Sequence, residues 1–495
     1  MAAACLATPR ARQDIAQTPA IVTTHHQVTI AGSVVRYTAR AGTIPIRDNE
    51  TGEPHANMFF VAYTLDRASG APVRPLTFLW NGGPGSNSGL VHLLGFGPRR
   101  ITTATGSMPR YSPAGTALVD NQDTWLTASD LVFVDPIGTG YSRPTKPEYA
   151  GEFYQPQGDA ESVAEFIRVC RLRLESFESP IYLMGESYGV TRASLVAEAL
   201  ARRRTKVAGV ILLSGGFPVD SDVPPALDSA LRLPIWTAAA HYNRKLPPDL
   251  QQLGIDEAIG ASRAYAEGDY AKALARVDSL SSAERDAIVT QLARFTGLPA
   301  SQINARTLRV TTEQISTSLL GDDRMVGRYD SRAIGSRDTS GGPYDPTTDP
   351  SLKDILDGVS VLRYLREEVG YKSDLFYQGP FGGGYPPPTT FRGDWMSVRW
   401  SRAQTGASGS PDARPAGLGA ALASDPDLRV FVACGYFDLL GGCYASDYAA
   451  RHLAPALASR VTSRVYAGGH ATYTDDAARR RLREDVIGFI QGKRE

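Results

Sequence analysis

Ile181-Tyr-Leu-Met-Gly-Glu-Ser-Tyr-Gly189, running on into the helix-like Thr191–Leu200, decides how this chain is read. The apolar run Ile181-Tyr-Leu-Met184 has strand character, and beyond Gly189 the pattern changes to helical. A Gly at each end of Gly185-Glu-Ser-Tyr-Gly189 lets the backbone turn sharply enough to hold the Ser187 hydroxyl at the top of a sheet, where a base can reach it. Strand, Gly-x-Ser-x-Gly turn and helix in that order make a nucleophile elbow, which points to a serine hydrolase.

Further short, continuous apolar runs surround the elbow: Leu76–Trp80, Leu131–Val134 and Val207–Leu213. Such runs suit strands buried on both faces of a parallel sheet. Between the second of these and the elbow, Asp159–Phe177 places Val163, Phe166, Ile167, Cys170 and Leu174 at helical spacing, an amphipathic crossover. The order is that of a doubly wound α/β fold with a mostly parallel sheet. Upstream, His26–Tyr37 and Asn57–Leu65 alternate apolar and polar residues and read as antiparallel strands, with Asn49-Glu-Thr-Gly52 as a turn between strands. Beyond Pro218 the texture turns helical over Ala226–Tyr242, Ile255–Leu280, Ala283–Phe295 and Ser351–Glu368, with Gly/Pro-rich connections near 335–350 and 378–389. The sheet pattern returns at Leu428–Ala433 and Val461–Tyr466. This predicts a flexible N-terminal segment over 1–20, a first core part over 21–218, an inserted helical cap over 219–424 and a second core part over 425–495.

The chain has 495 residues with ordinary globular composition, 42% hydrophobic and 21% charged, enough for a large core. Its 52 basic residues are balanced by 52 acidic ones, which argues against a nucleic-acid partner. No window approaches the roughly eighteen uncharged apolar residues of a membrane span. Met1-Ala-Ala-Ala-Cys-Leu-Ala-Thr8 has small residues like those near a signal cleavage site but no basic start and a short apolar stretch. A secreted or periplasmic protein with a trimmed signal and a cytoplasmic one with a frayed end both fit. The four Cys (Cys5, Cys170, Cys434, Cys443) are too few and scattered for a disulfide framework or zinc site, and Cys434 with Cys443 reads equally as a pair or as two thiols.

A serine hydroxyl is a weak nucleophile until a neutral imidazole takes its proton, and an acid must hold that imidazole in the right tautomer. In elbow folds the partners follow as Ser, acid, His at strand ends. Of seven His (25, 26, 55, 92, 241, 452, 470), only His452 and His470 lie among the late strands, and His452 falls in the helical stretch Cys443–Leu457. His470, in the Gly-flanked loop Ala467-Gly-Gly-His-Ala-Thr-Tyr473, is therefore the base. Asp438, directly after a strand in Cys434-Gly-Tyr-Phe-Asp-Leu-Leu-Gly441, is the acid, with Asp447 on the following helix as the fallback. The oxyanion that forms during attack needs prepositioned backbone N–H donors. Tyr188 supplies one, and Gly83, in the Gly-rich turn Trp80-Asn-Gly-Gly-Pro-Gly-Ser-Asn-Ser88, the other. No metal or cofactor is called for.

Taken together, Trp80-Asn-Gly-Gly-Pro-Gly85, Asp135-Pro-Ile-Gly-Thr-Gly-Tyr-Ser142, the elbow, Asp438 and Gly469-His470 resemble the serine carboxypeptidases, over about residues 55–218 and 425–490. The resemblance implies an α/β-hydrolase fold with an inserted helical cap, and removal of single amino acids from peptide C-termini. It also implies that Asn81, Gly82 and Glu186 bind the substrate's terminal carboxylate. A carboxylate repels an ionised Glu186 and binds well only when that side chain is protonated, so acid preference would follow from recognition. Glu186 also reads as a buried structural carboxyl bonded to Asn81.

Three departures from the family pattern stand out. Gly95 stands where members commonly place a second Glu, Ser86 where eukaryotic members tend to have Cys, and Ala471-Thr-Tyr473 where they have Met-Val-Pro. The resemblance is therefore to a bacterial branch. An esterase or acyltransferase would keep Ser187, Asp438 and His470 without needing the Asn81/Glu186 clamp, and a catalytically dead binding protein would not need an intact triad.

Overall fold

The computed structural model describes residues 21–103, 116–218, 223–321, 323–337, 348–352, 358–379 and 417–493. The expected N-terminal segment 1–20, with Cys5, lies outside them, as do parts of the Gly/Pro-rich connections. The main sheet is built from β1 (Val22–Ile30), β2 (Ser33–Arg47), β3 (Pro54–Leu65), β4 (Leu76–Trp80), β5 (Asp130–Val134), β6 (Ile181–Glu186), β7 (Gly209–Leu213), β8 (Arg429–Gly435) and β9 (Val461–Tyr466). They lie in the order β1-β2-β3-β5-β4-β6-β7-β8-β9. The first three strands and the β3–β5 pair are antiparallel. From β5 to β9 every pairing is parallel, as the continuous apolar runs predict. This is an α/β-hydrolase arrangement, in which the elbow strand β6 sits in the middle of the sheet.

Alternation along these strands feeds two cores. Phe78, Trp80, Val132, Leu183 and Val210 face helices α1 (Pro156–Arg173) and α2 (Tyr188–Arg202) through Phe166, Ile167, Val196 and Leu200. Leu79, Phe133, Met184, Ile211 and Phe431 face the other way, onto Leu482, Val486 and Phe489 of the C-terminal helix α3 (Asp476–Ile490). The helices between β7 and β8 form a third core around Trp236, Ile259, Leu292, Phe295 and Ile315, which also takes in Phe437 and Leu439 from the loop after β8 and Cys443 at the start of the next helix. Helix Gly417–Ser424 lies on α2, through Leu418 and Leu422.

Several expected elements divide. A single strand over His26–Tyr37 is instead the β1–β2 hairpin, turning at Ala31 (φ 48°) and Gly32 (φ 78°), the left-handed pair a tight two-residue turn needs. Ala226–Tyr242 is two helices, Pro225–Ala230 and Leu233–Tyr242, because Pro234 lacks an N–H and starts a new helix. Ile255–Leu280 is Ile255–Tyr265, a wide π-type turn over Ala266–Tyr270, and Ala271–Ala275. Of Ser351–Glu368, the described parts are a turn at Ser351 and Leu352, a helix over Gly358–Arg363 and a π-type turn over Tyr364–Glu368. The helix over Cys443–Leu457 stops at Arg451, ahead of Pro455. Cys434 and Cys443 are disulfide-bonded, with Cα atoms 5.5 Å apart, and the bridge closes the loop that carries Asp438.

Candidate active site

Ser187 joins β6 to α2 at φ 59°, ψ −126°, a conformation costly for a residue with a Cβ and typical of a nucleophile elbow. Its N–H donates to Leu213 O of the neighbouring strand (2.9 Å), and Trp80 Nε1 pins the far side of the elbow by donating to Gly189 O (3.0 Å). Glycine is required opposite. A Cβ on Gly82 would stand 2.5 Å from Tyr188 N and 2.9 Å from Ser187 Cβ. The Gly-rich turn after β4 therefore lies directly against the elbow, with Gly82 beside the Tyr188 amide.

Ser187 and His470 line one cavity, with Asn81, Gly82, Gly83, Ser86 and Glu186 around them. His470 Nδ1 is 2.8 Å from Asp438 Oδ2. The other oxygen, Oδ1, accepts from Leu440 N (2.9 Å) and Gly441 N (3.0 Å), so the carboxylate is fixed in rotation and fully buried. With Nδ1–H bound to Asp438, Nε2 is left as the basic nitrogen. Burial opposes charge on the ring, but Asp438, helped by Glu186, outweighs it and holds the His470 pKa above its ordinary value. Ser187 Oγ makes no hydrogen bond among the described residues; such bonds are often loose before substrate arrives and tighten in the Michaelis complex.

Asp447, the fallback acid, is elsewhere. It pairs with Arg263 (2.9 Å) and Arg451 (3.0 Å) and accepts from Ser463 (2.9 Å).

Glu186, 3% exposed, accepts at Oε1 from Asn81 Nδ2 (3.0 Å), while Asn81 Oδ1 accepts from Val91 N (3.2 Å). Burial drives the Glu186 pKa up to about 6, against the opposing pull of His470 and of Tyr473 and Asn81 as hydrogen-bonding neighbours. A carboxyl whose pKa burial raises, on the wall of the cavity that holds a serine, can receive another carboxylate when it is protonated.

Three contributions escaped sequence reasoning. Arg192 of α2 is buried, donating Nε to Asp159 (2.7 Å) and Nη1 to Asn81 O (2.7 Å), so the elbow's helix positions the Gly-rich turn. An Arg on the largely apolar buried face of that helix was a readable signal for it. Tyr329 accepts the His470 N–H at its carbonyl (2.6 Å) and sets its ring edge-on to the imidazole at 5.2 Å. A Cβ on Gly469 would stand 2.5 Å from Tyr329 O. Asp330, which lines the cavity, is paired with Arg332 (2.7 Å), which also holds Asp475 (2.9 Å). No periodicity marks residues 328–332, which lie outside any helix or strand.

Residues 36–245 match the model of the serine carboxypeptidase family. Among curated proteins, the pheromone-processing carboxypeptidase KEX1 of Arthroderma otae is 32% identical over 178 residues, covering 36% of this chain and 24% of that protein. The retinoid-inducible serine carboxypeptidase of Rattus norvegicus is 28% identical over 204 residues, 41% of each chain. The chain thus spans about a quarter of the length of the fungal relative. These relatives are fungal and mammalian, and the expected bacterial branch finds no support in them. Among solved structures, a prohormone-processing carboxypeptidase from Saccharomyces cerevisiae superposes with TM-score 0.54 over 92% of this chain and 91% of that one, at 16% identity, a likeness of fold. The segment that carries the elbow and the Gly-rich turn is thus similar to the serine carboxypeptidase family, on a chain with the α/β-hydrolase fold.

Proposed function

We propose that this protein is a serine carboxypeptidase, hydrolysing the last peptide bond of peptides with a free C-terminus. The observation that carries the reading is Glu186, a buried carboxyl bonded to Asn81 on the wall of the cavity that Ser187 and His470 line. A peptide's terminal carboxylate sits against the Asn81 amide, the Gly82 backbone and protonated Glu186, which lays the last peptide bond over Ser187. His470 Nε2 takes the Ser187 proton as Oγ attacks, and Asp438 stabilises the imidazolium. The Gly83 and Tyr188 N–H groups hold the oxyanion. The imidazolium then protonates the leaving amine, and water, activated by the same ring, hydrolyses the acyl-enzyme. Tyr329, Asp330 and Leu352, between β7 and β8, line the cavity on the side of the insert. A disulfide at Cys434–Cys443 favours an oxidising compartment, secreted or lumenal.

The test offers matched peptides with a free or an amidated C-terminus between about pH 4 and pH 8 and detects released amino acids. Cleavage of the free form at least about tenfold faster is expected, one missing charged hydrogen bond being worth that much or more. Equal cleavage of both would overturn the clamp. Cleavage of a simple ester and of neither peptide would assign an esterase or acyltransferase instead.

The two cavity acids also set a pH profile. His470 must be neutral to act, so activity falls as pH drops through its raised pKa. Glu186 must be protonated to accept a carboxylate, so KM rises as pH climbs past about 6. For free-acid peptides, kcat/KM is expected to be bell-shaped, with apparent values that belong to the coupled pair. Glu186→Gln removes the titrating proton, and the alkaline rise in KM, about tenfold per pH unit, should vanish. A KM profile unchanged in this variant would remove Glu186 from carboxylate recognition.

A further inference from the structure

Behind Glu186 stands a residue that the mechanism does not use. Tyr473, on the short turn Thr472–Thr474, is fully buried and packs edge-on to Phe96 at 5.0 Å. Its ring lies over Gly95, where a Cβ would stand 3.2 Å from Cδ2 and 3.3 Å from Cγ. Both sides of that contact are held in place. Asn121 Nδ2 donates to Gly95 O and Gly97 O, each at 2.8 Å, and Arg479 Nη1 donates to Tyr473 O at 3.2 Å. The ring occupies the space a side chain at position 95 would need.

The phenol oxygen and Glu186 Oε2 are both sealed from solvent, and neither has an aligned hydrogen bond. The two groups nonetheless act on each other's titration as hydrogen-bonding neighbours, so the hydroxyl stands against the carboxyl without being lined up on it. Two buried polar atoms left unsatisfied side by side are costly, and a small rotation of the hydroxyl or carboxyl satisfies both.

We propose that Tyr473 is the positioning residue of Glu186: seated over Gly95, its hydroxyl donates to Oε2 of the carboxylate and accepts from Oε2–H of the acid. The inference rests on the carboxypeptidase reading for its consequence, which is that Tyr473 sets the pH at which the site admits a terminal carboxylate. Asn81 occupies Oε1, so the proton of the acid is confined to Oε2, which like the Tyr473 hydroxyl is buried without a partner. A neutral phenol can donate to the carboxylate without adding the negative charge that a second carboxylate would bring. Its hydroxyl therefore favours the ionised form of Glu186 and keeps the group titrating near neutrality despite burial. The other charges bearing on Glu186 are His470, which favours the carboxylate, and Asp438, which opposes it. Asp330 lines the same cavity and is neutralised by Arg332. On the packed turn Val91–Phe96, His92 points to Tyr63 Oη (2.6 Å) and is kept neutral by burial, which pushes its pKa down to about 3.

The test follows the infrared C=O band of protonated Glu186 against pH in the whole protein, with Glu186→Gln as the blank. Tyr473→Phe keeps the ring and removes the hydroxyl, and the midpoint is expected to rise by roughly one pH unit. The KM rise for free-acid peptides should move with it, while kcat on an ester without a carboxylate stays within about twofold. A midpoint that moves by less than about 0.3 unit overturns the proposal. Should that variant fail to fold, Gly95→Ala keeps the hydroxyl and pushes the ring off Oε2, and must raise the midpoint too; an unmoved midpoint there is equally fatal. If the unaltered enzyme cleaves free and amidated peptides alike, the carboxypeptidase reading fails, and the infrared midpoint still decides the role of Tyr473.

Discussion

Ser187→Ala is expected to lower kcat by roughly 10⁴ to 10⁶, with KM for a free-acid peptide changed by less than about threefold. The loss is large because the covalent route disappears with Oγ, leaving only the oxyanion donors and substrate binding to act on direct attack by water. KM is spared because the carboxylate contacts proposed at Asn81, Gly82 and Glu186 do not involve the hydroxyl. Folding should be little affected. Ser187 Oγ has no hydrogen-bond partner among the described residues, so its removal orphans nothing. Alanine also tolerates φ 59° about as poorly as serine does, so the strain of the elbow is unchanged. Single-turnover kinetics on a chromogenic ester, with a thermal melt alongside, separate the two effects. Retention of more than about a tenth of the activity would exclude Ser187 as the nucleophile.

What could be read in advance is the part of the molecule where several local signals agree. At 181–189, an apolar run, two glycines and a change of period all mark one strand, one turn and one helix, and these are β6, Ser187 at positive φ, and α2. That Asp438 after β8 would meet His470 after β9 was legible for a related reason, because strand ends in a parallel sheet all emerge on one edge. The β1–β2 hairpin was not, since Ala31-Gly32 is not one of the strong Asn-Gly or Asp-Gly turn signals and the turn shows in the left-handed backbone. In the insert, the division of Ile255–Leu280 at Ala266–Tyr270 is a change of hydrogen-bond period that the apolar spacing does not mark, although Gly268 is a poor helix former. Tyr329 was unreadable for a different reason. Its contact with His470 uses a backbone carbonyl, and any residue has one. Gly469, tight against that carbonyl, was the trace it left in the sequence. The Cys434–Cys443 pairing stayed open because spacing alone does not set Cα separation; the turn after β8 does.

The second large effect is expected from Asp438→Asn, a fall in kcat of about 10⁴ near neutral pH with the fold intact. Asp438 Oδ1 accepts two backbone N–H groups, from Leu440 and Gly441, at 2.9 and 3.0 Å. In the variant the amide oxygen must keep that place, because an NH₂ there would face two donors. The amide nitrogen is therefore forced into the position of Oδ2, 2.8 Å from His470 Nδ1 in the unaltered chain. An N–H donor at that position requires Nδ1 to accept, which moves the ring proton to Nε2. A protonated Nε2 cannot take the proton from Ser187, and the imidazolium, once formed, has lost its counter-charge. Asp447→Asn is the control for an acid on the same segment. It should leave kcat within about twofold while lowering stability by about 1–3 kcal/mol, since it weakens the contacts to Arg263, Arg451 and Ser463. Kinetics and denaturant unfolding on both variants separate catalysis from folding. Equal losses of kcat would mean that the loop after β8 matters only for its shape, and full activity in the Asp438 variant would remove the acid from the proton relay.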